Sequence, residues 1–152
     1  GTAATVASKT YTKEFKKAAP RIRVFQQAAP LLVPLIENGE WELLQPILKE
    51  YLKPLIKKNI DTLVLGCTHY PIVKKEIREI VGDKIKLVCQ DEFIHWKLKD
   101  YLSRHGEIDV KLSKKGKRDF MITEKTVNFE KLSQDWFKKE VELKVVDVPQ
   151  LS

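Results

Sequence analysis

The most constraining feature of this sequence is a short apolar run followed at once by an amphipathic helix pattern. Residues 61–66 are nearly all apolar, which is typical of a buried strand in a parallel sheet. Pro71–Val81 places isoleucine and valine on one face and basic side chains on the other, and Lys84–Cys89 predicts a second strand. A strand, a crossover helix and a strand predict a right-handed parallel βαβ unit. The predicted fold class is therefore α/β, with helices on both faces of a parallel sheet.

The chain before this unit is divided into short elements. Thr2–Lys17 contains no proline and predicts one helix, whereas Arg21–Gln26 alternates basic and apolar residues and predicts a strand. Two prolines interrupt residues 30–39, which predicts irregular backbone there. Trp41–Lys57 repeats leucine at helical spacing and predicts a long helix.

The chain after this unit has a different charge balance, because the excess of basic side chains lies almost entirely before residue 89. We therefore expect a domain boundary near Gln90, with one α/β domain in residues 1–89 and a second segment in residues 90–152. The elements predicted in that segment are a helix at Phe93–Leu102, a strand at Phe120–Thr123, a helix at Phe129–Phe137 and a strand at Val141–Val148.

Composition excludes several broad classes of protein. A chain of 152 residues with 43% hydrophobic side chains can bury a core. Its longest uncharged apolar stretches are far shorter than the roughly 20 residues of a membrane helix, so no membrane association is expected. The N-terminal residues do not resemble a secretory signal, so we expect a cytoplasmic protein. Its two cysteines, Cys67 and Cys89, are then expected to be free thiols, with Cys89 in the core.

The net charge of +7 makes nucleic acid a partner to be considered. Most of the basic residues are pairs on predicted helices, where they form solvated faces. Lys111–Arg118 is the one basic patch predicted to lie on a loop, and no aromatic residue is interleaved there to stack on bases. Nucleic-acid binding is therefore only a minor alternative.

The residues directly after the first strand are the best candidates for chemistry. In open α/β sheets ligands bind at the carboxyl ends of the strands, and the following helix start offers amide groups to an anion. The helix dipole and a nearby imidazole would favour the thiolate form of Cys67, and His69 could act as an acid or base. The alternative is structural, with Cys67 packed under the helix and His69 capping it.

A zinc site is a further alternative, formed by Cys67, His69, Cys89 and His95. Such a site needs four ligands that converge in a tetrahedron. A spacing of one residue at a strand end points Cys67 and His69 apart, and the chain has no CxxC pair. The sequence therefore does not favour a metal.

Three blocks of this sequence resemble the bacterial glutamate racemases, cofactor-independent enzymes of cell-wall precursor synthesis. The block Gly66-Cys67-Thr68-His69-Tyr70-Pro71 is similar to their second cysteine motif. The other two blocks are the opening Gly1-Thr2, with Thr5, Ser8 and Tyr11, and the loop Val33–Gly39. With histidine after the Cys-Thr pair, this block is more similar to the motif of the glutamate racemases than to that of the related aspartate racemases.

The resemblance implies a role for six residues and no cofactor or metal. Cys67 would be one of two catalytic cysteines, moving the α-proton on one face of glutamate, and His69 would support it. The residues implied to bind the substrate are Thr68, Thr2, Thr5 and Glu37.

The resemblance also implies partners. The first cysteine motif of the family is not in this sequence, so the N-terminal half of the enzyme is expected to be one partner and the small-molecule substrate glutamate another. Residues 90–152 would pack on the first domain in the family, and their apolar faces predict a homo-oligomer in its absence. The alternatives are a non-catalytic binding or assembly module that uses Lys111–Arg118, and a related aspartate-type racemase.

Overall fold

The computed structural model describes residues 1–148, and its first segment forms two helices. These are α1 (Ala3–Ser8) and α2 (Thr10–Ala18). Lys9 separates them with a left-handed φ of 55°, and the Ser8 hydroxyl accepts a hydrogen bond from the first backbone N–H of α2. The predicted single helix at Thr2–Lys17 is thus wrong at its centre, because a local serine cap competes with the helical hydrogen bond.

Residues 21–26 do not form the predicted strand. They carry irregular backbone, and the only ladder-like contact nearby is made by Gly1 with Gln27 and Ala29. An alternating pattern becomes a strand only where a neighbouring strand supplies hydrogen bonds. Within the described residues the Ile22 N–H donates to the nearby Ala19 carbonyl, and no backbone hydrogen bond reaches residues 23–26. The prediction failed because it considered only the alternation of basic and apolar residues and not whether a partner strand is present.

The prediction of irregular backbone at residues 30–39 is also wrong. Helix α3 (Leu32–Asn38) forms there, with Leu32 and Ile36 buried, and it ends at Gly39 with φ 68°. Pro34 lies in the first helical turn, where its missing N–H needs no acceptor. The proline therefore starts this helix instead of breaking it.

Helix α4 (Trp41–Ile56) confirms the predicted long helix and ends one residue earlier. Its buried residues Leu44, Leu48 and Leu52 repeat every four positions and form one apolar face.

The predicted βαβ unit is confirmed. Strand β1 (Thr62–Leu65) pairs in parallel with β2 (Lys86–Cys89), and helix α5 (Lys74–Val81) crosses between them. The first predicted turn of this helix is a 3₁₀ turn at Tyr70–Val73. This parallel strand pair with its crossover helix is the predicted α/β architecture, and the continuous apolar run of β1 is the sequence feature that predicted it.

A single apolar core joins α3, α4, α5, β1 and β2, and all of its buried members lie in residues 29–89. Cys89 is one of them, as predicted. They are Ala29, Leu32, Ile36, Leu44, Leu48, Leu52, Leu63, Leu65, Tyr70, Val73, Ile77, Ile85, Leu87 and Cys89.

The remaining chain forms helices and a second, small parallel sheet. The elements are α6 (Ile94–Arg104), α7 (Gly106–Asp109), β3 (Phe120–Ile122), α8 (Val127–Phe137) and β4 (Leu143–Val145). Phe120 pairs with Leu143 in the parallel register of β3 and β4. The predicted second segment also includes residues 149–152, which lie outside the described residues. No helix within residues 1–148 is both long and apolar enough to cross a membrane.

Candidate active site

The loop after β1 is packed tightly against the start of the chain. A Cβ on Gly66 would lie 3.3 Å from the ring of Tyr11, so glycine lets α2 approach the strand end closely. The Tyr11 hydroxyl accepts a hydrogen bond of 3.1 Å from Gln90 Nε2, which links α2 to the carboxyl end of β2. The loop from Gly66 to His69 therefore lies at the carboxyl edge of the sheet, where the sequence predicted a site.

Three predicted site residues form one chain of polar contacts. His69 Nε2 lies 2.9 Å from Glu37 Oε1, and His69 Nδ1 lies 3.9 Å from Cys67 Sγ. An ionised carboxylate only accepts hydrogen bonds, so Nε2 of the imidazole donates to Glu37. In the neutral ring Nδ1 is then an acceptor that faces the thiol. The arrangement can take up or return a thiol proton.

The prediction that the side chains of Cys67 and His69 point apart is wrong. It assumed that the strand continues through the motif. Instead the Tyr70 N–H donates to the Cys67 carbonyl, and this tight turn folds His69 back over the thiol. Within residues 1–148, however, no three His, Cys, Asp or Glu side chains converge as ligands for a metal ion.

The predicted substrate-binding threonines are only partly brought together. The hydroxyls of Thr2 and Thr5 lie 2.9 Å apart, and the Thr2 hydroxyl caps α1 by accepting from the Thr5 N–H. This helix start lies beside the loop, since a Cβ on Gly1 would lie 3.4 Å from the Gly66 carbonyl oxygen. Thr68 is exposed in the turn, and no hydrogen bond within the described chain joins it to the other two.

Sequence reasoning did not identify Trp136 as a residue of this site. Its ring lies 5.9 Å from that of His69, at an interplanar angle of 77°, and its helix α8 packs on α3, which carries Glu37. Trp136 thus covers the imidazole from the far part of the chain. The sequence signal of α8 is only its apolar face, which does not indicate where that face packs.

The two cysteines have different surroundings. Cys67 is half-buried, whereas Cys89 is completely buried and burial raises the pKa of its thiol to about 11. Burial also lowers the pKa of the Gly1 amine, and its interaction with the nearby Cys67 opposes this shift. The Gly1 amine and the Cys67 side chain are therefore close enough to interact electrostatically.

The basic loop at Lys111–Arg118 is partly neutralised. Lys114 Nζ lies 2.6 Å from Asp109, and Lys117 Nζ lies 3.1 Å from Asp119. Contacts to nearby carboxylates weaken the case for a nucleic-acid surface.

Sequence comparison finds relatives that are named glutamate racemases. The chain is 36% identical over 147 residues to glutamate racemase 2 of Caldanaerobacter subterraneus subsp. tengcongensis, covering 95% of this chain and 55% of that protein. It is 39% identical over 137 residues to the glutamate racemase of Thermoanaerobacter sp. (strain X514), covering 88% of this chain and 50% of that protein. The chain thus spans about half the length of the curated relatives it matches. No protein-family model matches it.

Solved structures of similar fold carry the same name. The glutamate racemase isoform RacE1 from Bacillus anthracis superposes with a TM-score of 0.83 at 28% identity, covering 95% of this chain and 55% of that one. The glutamate racemase from Francisella tularensis, solved in complex with D-glutamate, also gives a TM-score of 0.83, at 29% identity. That match covers 99% of this chain and 57% of that one.

Proposed function

The chain is a relative of the C-terminal half of glutamate racemases, and from this premise we propose that it supplies one half of a glutamate racemase active site. The proposed reaction inverts the α-carbon of glutamate. A base removes the α-proton on one face, and an acid delivers a proton to the other face. The substrate and the product have the same composition and oxidation state, so the proposed reaction needs neither a redox step nor a cofactor.

The observation that carries this proposal is the chain of contacts from Glu37 through His69 to Cys67. In one direction the Cys67 thiolate takes the α-proton: the C–H bond breaks, its electron pair moves into the carboxylate-stabilised carbanion, and an S–H bond forms. In the other direction the thiol returns a proton to the same face. After an α-proton has been taken up, His69 Nδ1 accepts it from the Cys67 thiol and so restores the thiolate. In the other direction the imidazolium first returns a proton to Cys67. Glu37 holds the neutral imidazole in the tautomer that allows this.

The same loop supports binding of an amino-acid carboxylate. It lies at the carboxyl end of β1, beside the capped start of α1, where hydroxyl groups and backbone N–H groups are close. We assign Thr68, Thr2 and Thr5 to this role. Glutamate is favoured as substrate because the Francisella tularensis neighbour was solved with D-glutamate.

The second thiol must come from outside this chain. Inversion needs an acid and a base on opposite faces of the α-carbon. Cys89 cannot be the second group, because it is fully buried in the core and burial raises its thiol pKa to about 11. We therefore assign the second cysteine to an N-terminal half, and expect the chain alone to show no turnover.

The biological role is proposed from the resemblance to enzymes of cell-wall precursor synthesis. We propose that the complete enzyme makes D-glutamate for peptidoglycan in the bacterial cytoplasm. Its relatives named here come from bacteria, which agrees with this role.

A racemisation assay with a supplied first half tests the proposal. Residues 1–152 are assayed alone and together with the N-terminal half of the Thermoanaerobacter sp. racemase, using L-glutamate, D-glutamate and L-aspartate. We expect no turnover by either half alone and interconversion of both glutamate enantiomers by the pair. Turnover by residues 1–152 alone would contradict the two-thiol assignment, and turnover of aspartate only would favour an aspartate-type racemase.

A further inference from the structure

The imidazole of His69 contacts Trp136 in addition to its two polar partners. Its Nε2 lies 2.9 Å from a Glu37 carboxylate oxygen, and its Nδ1 lies 3.9 Å from the Cys67 sulfur. The ring of Trp136 lies 5.9 Å from it, nearly perpendicular at 77°. Ring centres about 4.5–7 Å apart in an edge-to-face arrangement are a favoured geometry of aromatic pairs. The indole is therefore in attractive contact with a ring whose two nitrogens both face polar groups.

The two polar contacts hold this imidazole only weakly. The Glu37 side chain is 48% exposed, so water competes for the hydrogen bond that its carboxylate accepts. The contact between Nδ1 and the Cys67 sulfur is long, and a thiol is a weak hydrogen-bond donor. An aromatic ring packed against His69 restricts rotation of the imidazole and competes for neither nitrogen. The orientation in which Nδ1 faces Cys67 therefore depends on the third contact.

Helix α8 brings Trp136 to the site through its buried face. Leu132 and Ser133 of this helix are 7% and 5% exposed. Trp136 follows them by four and three residues, so it lies on the same face one turn later. Helix α8 packs on α3, which also carries Glu37. Helix α3 therefore positions both the hydrogen-bond partner of His69 and its aromatic neighbour.

We propose that Trp136 is a positioning residue of the active site, which holds the His69 imidazole with Nδ1 facing the Cys67 sulfur. The inference rests on the proposed function, because that function assigns to His69 the transfer of the thiol proton. Rotation of the imidazole would lengthen an already long path for this proton. Misplacement of a catalytic group by about 1 Å can lower a rate by roughly 100-fold. Through Trp136, the segment after residue 90 contributes to the chemistry at the end of β1.

The next residue of α8, Phe137, provides a matched control. Its side chain is 44% exposed, and that of Trp136 is 37% exposed. Phe137 packs on Phe120 of β3, with the two ring centres 4.8 Å apart. Truncation of either residue therefore removes an aromatic contact of α8, whereas Trp136→Ala also removes the contact with His69.

Nitrogen NMR of the His69 imidazole tests the proposal in the chain itself, at about pH 8, where an ordinary histidine is neutral. In the parent we expect two well-separated ring-nitrogen signals, from a protonated Nε2 and an unprotonated Nδ1. In Trp136→Ala the two signals should move towards each other, because the ring reorients and both tautomers become populated. Phe137→Ala should leave the signals at their parent positions. Trp136→Phe keeps an aromatic ring and should restore most of the separation.

Steady-state kinetics of a complete enzyme give a second readout. The chain is joined to the N-terminal half of the Thermoanaerobacter sp. racemase, and glutamate is the substrate. Trp136→Ala should lower kcat by roughly tenfold or more and change KM by less than about twofold, as expected when an interaction acts on the chemical step and not on substrate binding. Phe137→Ala should keep kcat within about twofold of the parent.

Identical nitrogen signals in the parent and in Trp136→Ala would overturn the proposal. Equal changes in Trp136→Ala and Phe137→Ala would also overturn it, because they would indicate a general effect on α8. If Trp136→Ala does not fold, Trp136→Leu, which keeps apolar bulk without an aromatic ring, takes its place with the same expected result. An inactive parent chimera would contradict the proposed reaction, while shifted nitrogen signals in Trp136→Ala would still support the positioning role of Trp136.

Discussion

At the scale of single residues, the two cysteines show how position in one sheet sets reactivity. Cys89 is the last residue of β2 and its side chain points into the core, whereas Cys67 lies two residues beyond β1 in a half-buried turn beside His69. The Cys89 sulfur therefore contributes to core packing, whereas the Cys67 sulfur is a candidate base.

The first prediction concerns the alkylation of these thiols. At neutral pH iodoacetamide should modify Cys67 faster than Cys89, because only the thiolate reacts and burial disfavours the thiolate of Cys89. Peptide mass spectrometry over time measures both rates in one sample. Equal or reversed rates would mean that Cys67 only packs under its turn.

The second prediction is a pH dependence of stability that belongs to Cys89. Burial raises its pKa in the folded chain from the ordinary 9.0 to about 11. From pH 9 to 11 the unfolded chain loses a proton that the folded chain keeps, so the free energy of unfolding falls across this window. Below pH 9 both forms hold the proton and the contribution is constant.

Urea titrations of the original chain and of Cys89→Ala from pH 7 to 11 measure this effect. The variant is expected to be less stable at every pH, because it leaves a cavity, but its stability should fall less steeply above pH 9. Parallel curves for the two proteins would contradict the assignment to Cys89.

At the scale of secondary-structure elements, α4 connects the core to the site, because it packs on both α3 and α5. The third prediction compares two neighbouring leucines on it. Leu44 is 2% exposed and Leu43 is 54% exposed. Leu44→Ala should lower the free energy of unfolding by about 2–5 kcal/mol, whereas Leu43→Ala should change it by less than about 0.5 kcal/mol. Urea unfolding of both variants checks this, and similar losses would mean that the buried face of α4 is assigned wrongly.

Secondary-structure elements that are determined by the residue pattern of their own segment were predictable from the sequence. The apolar run of β1, the amphipathic pattern of α5 and the leucine repeat of α4 each fix their own structure, and all three are observed. The motif residues Cys67 and His69 were also identified locally, since they follow a buried strand directly.

Features that depend on distant parts of the chain were not predictable. Residues 21–26 alternate correctly but have no partner strand within the described residues, and Pro34 begins a helix only because Leu32 and Ile36 bury its inner face. The contact of Trp136 with His69 joins residues that are 67 positions apart, and no local pattern indicates it.

At the scale of the whole molecule, residues 1–89 carry the core and α6 lies outside it. Every residue of α6 except Leu102 is exposed, and the exposed fractions of Ile94, Trp96 and Leu98 are 58%, 62% and 57%. Apolar faces of this kind are uncommon on soluble monomers and mark interfaces.

The fourth prediction is that the chain self-associates through this face when no partner half is present. Light scattering at micromolar concentration should show a dimer or larger species. The double variant Trp96→Lys/Leu98→Lys should shift it towards the monomer, whereas Lys97→Ala on the same helix should not. A strictly monomeric chain that binds no hydrophobic dye would contradict the prediction.

The most direct test of the central claim is the fifth prediction, a comparison of the two cysteines in a complete enzyme. The N-terminal half of the Thermoanaerobacter sp. racemase is joined to Gly1, and loss of optical activity from L-glutamate is followed by polarimetry. We expect racemisation by this chimera, a loss of roughly 100-fold or more in Cys67→Ser, and activity within about tenfold of the parent in Cys89→Ala. Circular dichroism checks that all three proteins are folded. A folded Cys67→Ser chimera that racemises glutamate as fast as its parent, or a folded parent chimera without activity, would contradict the account.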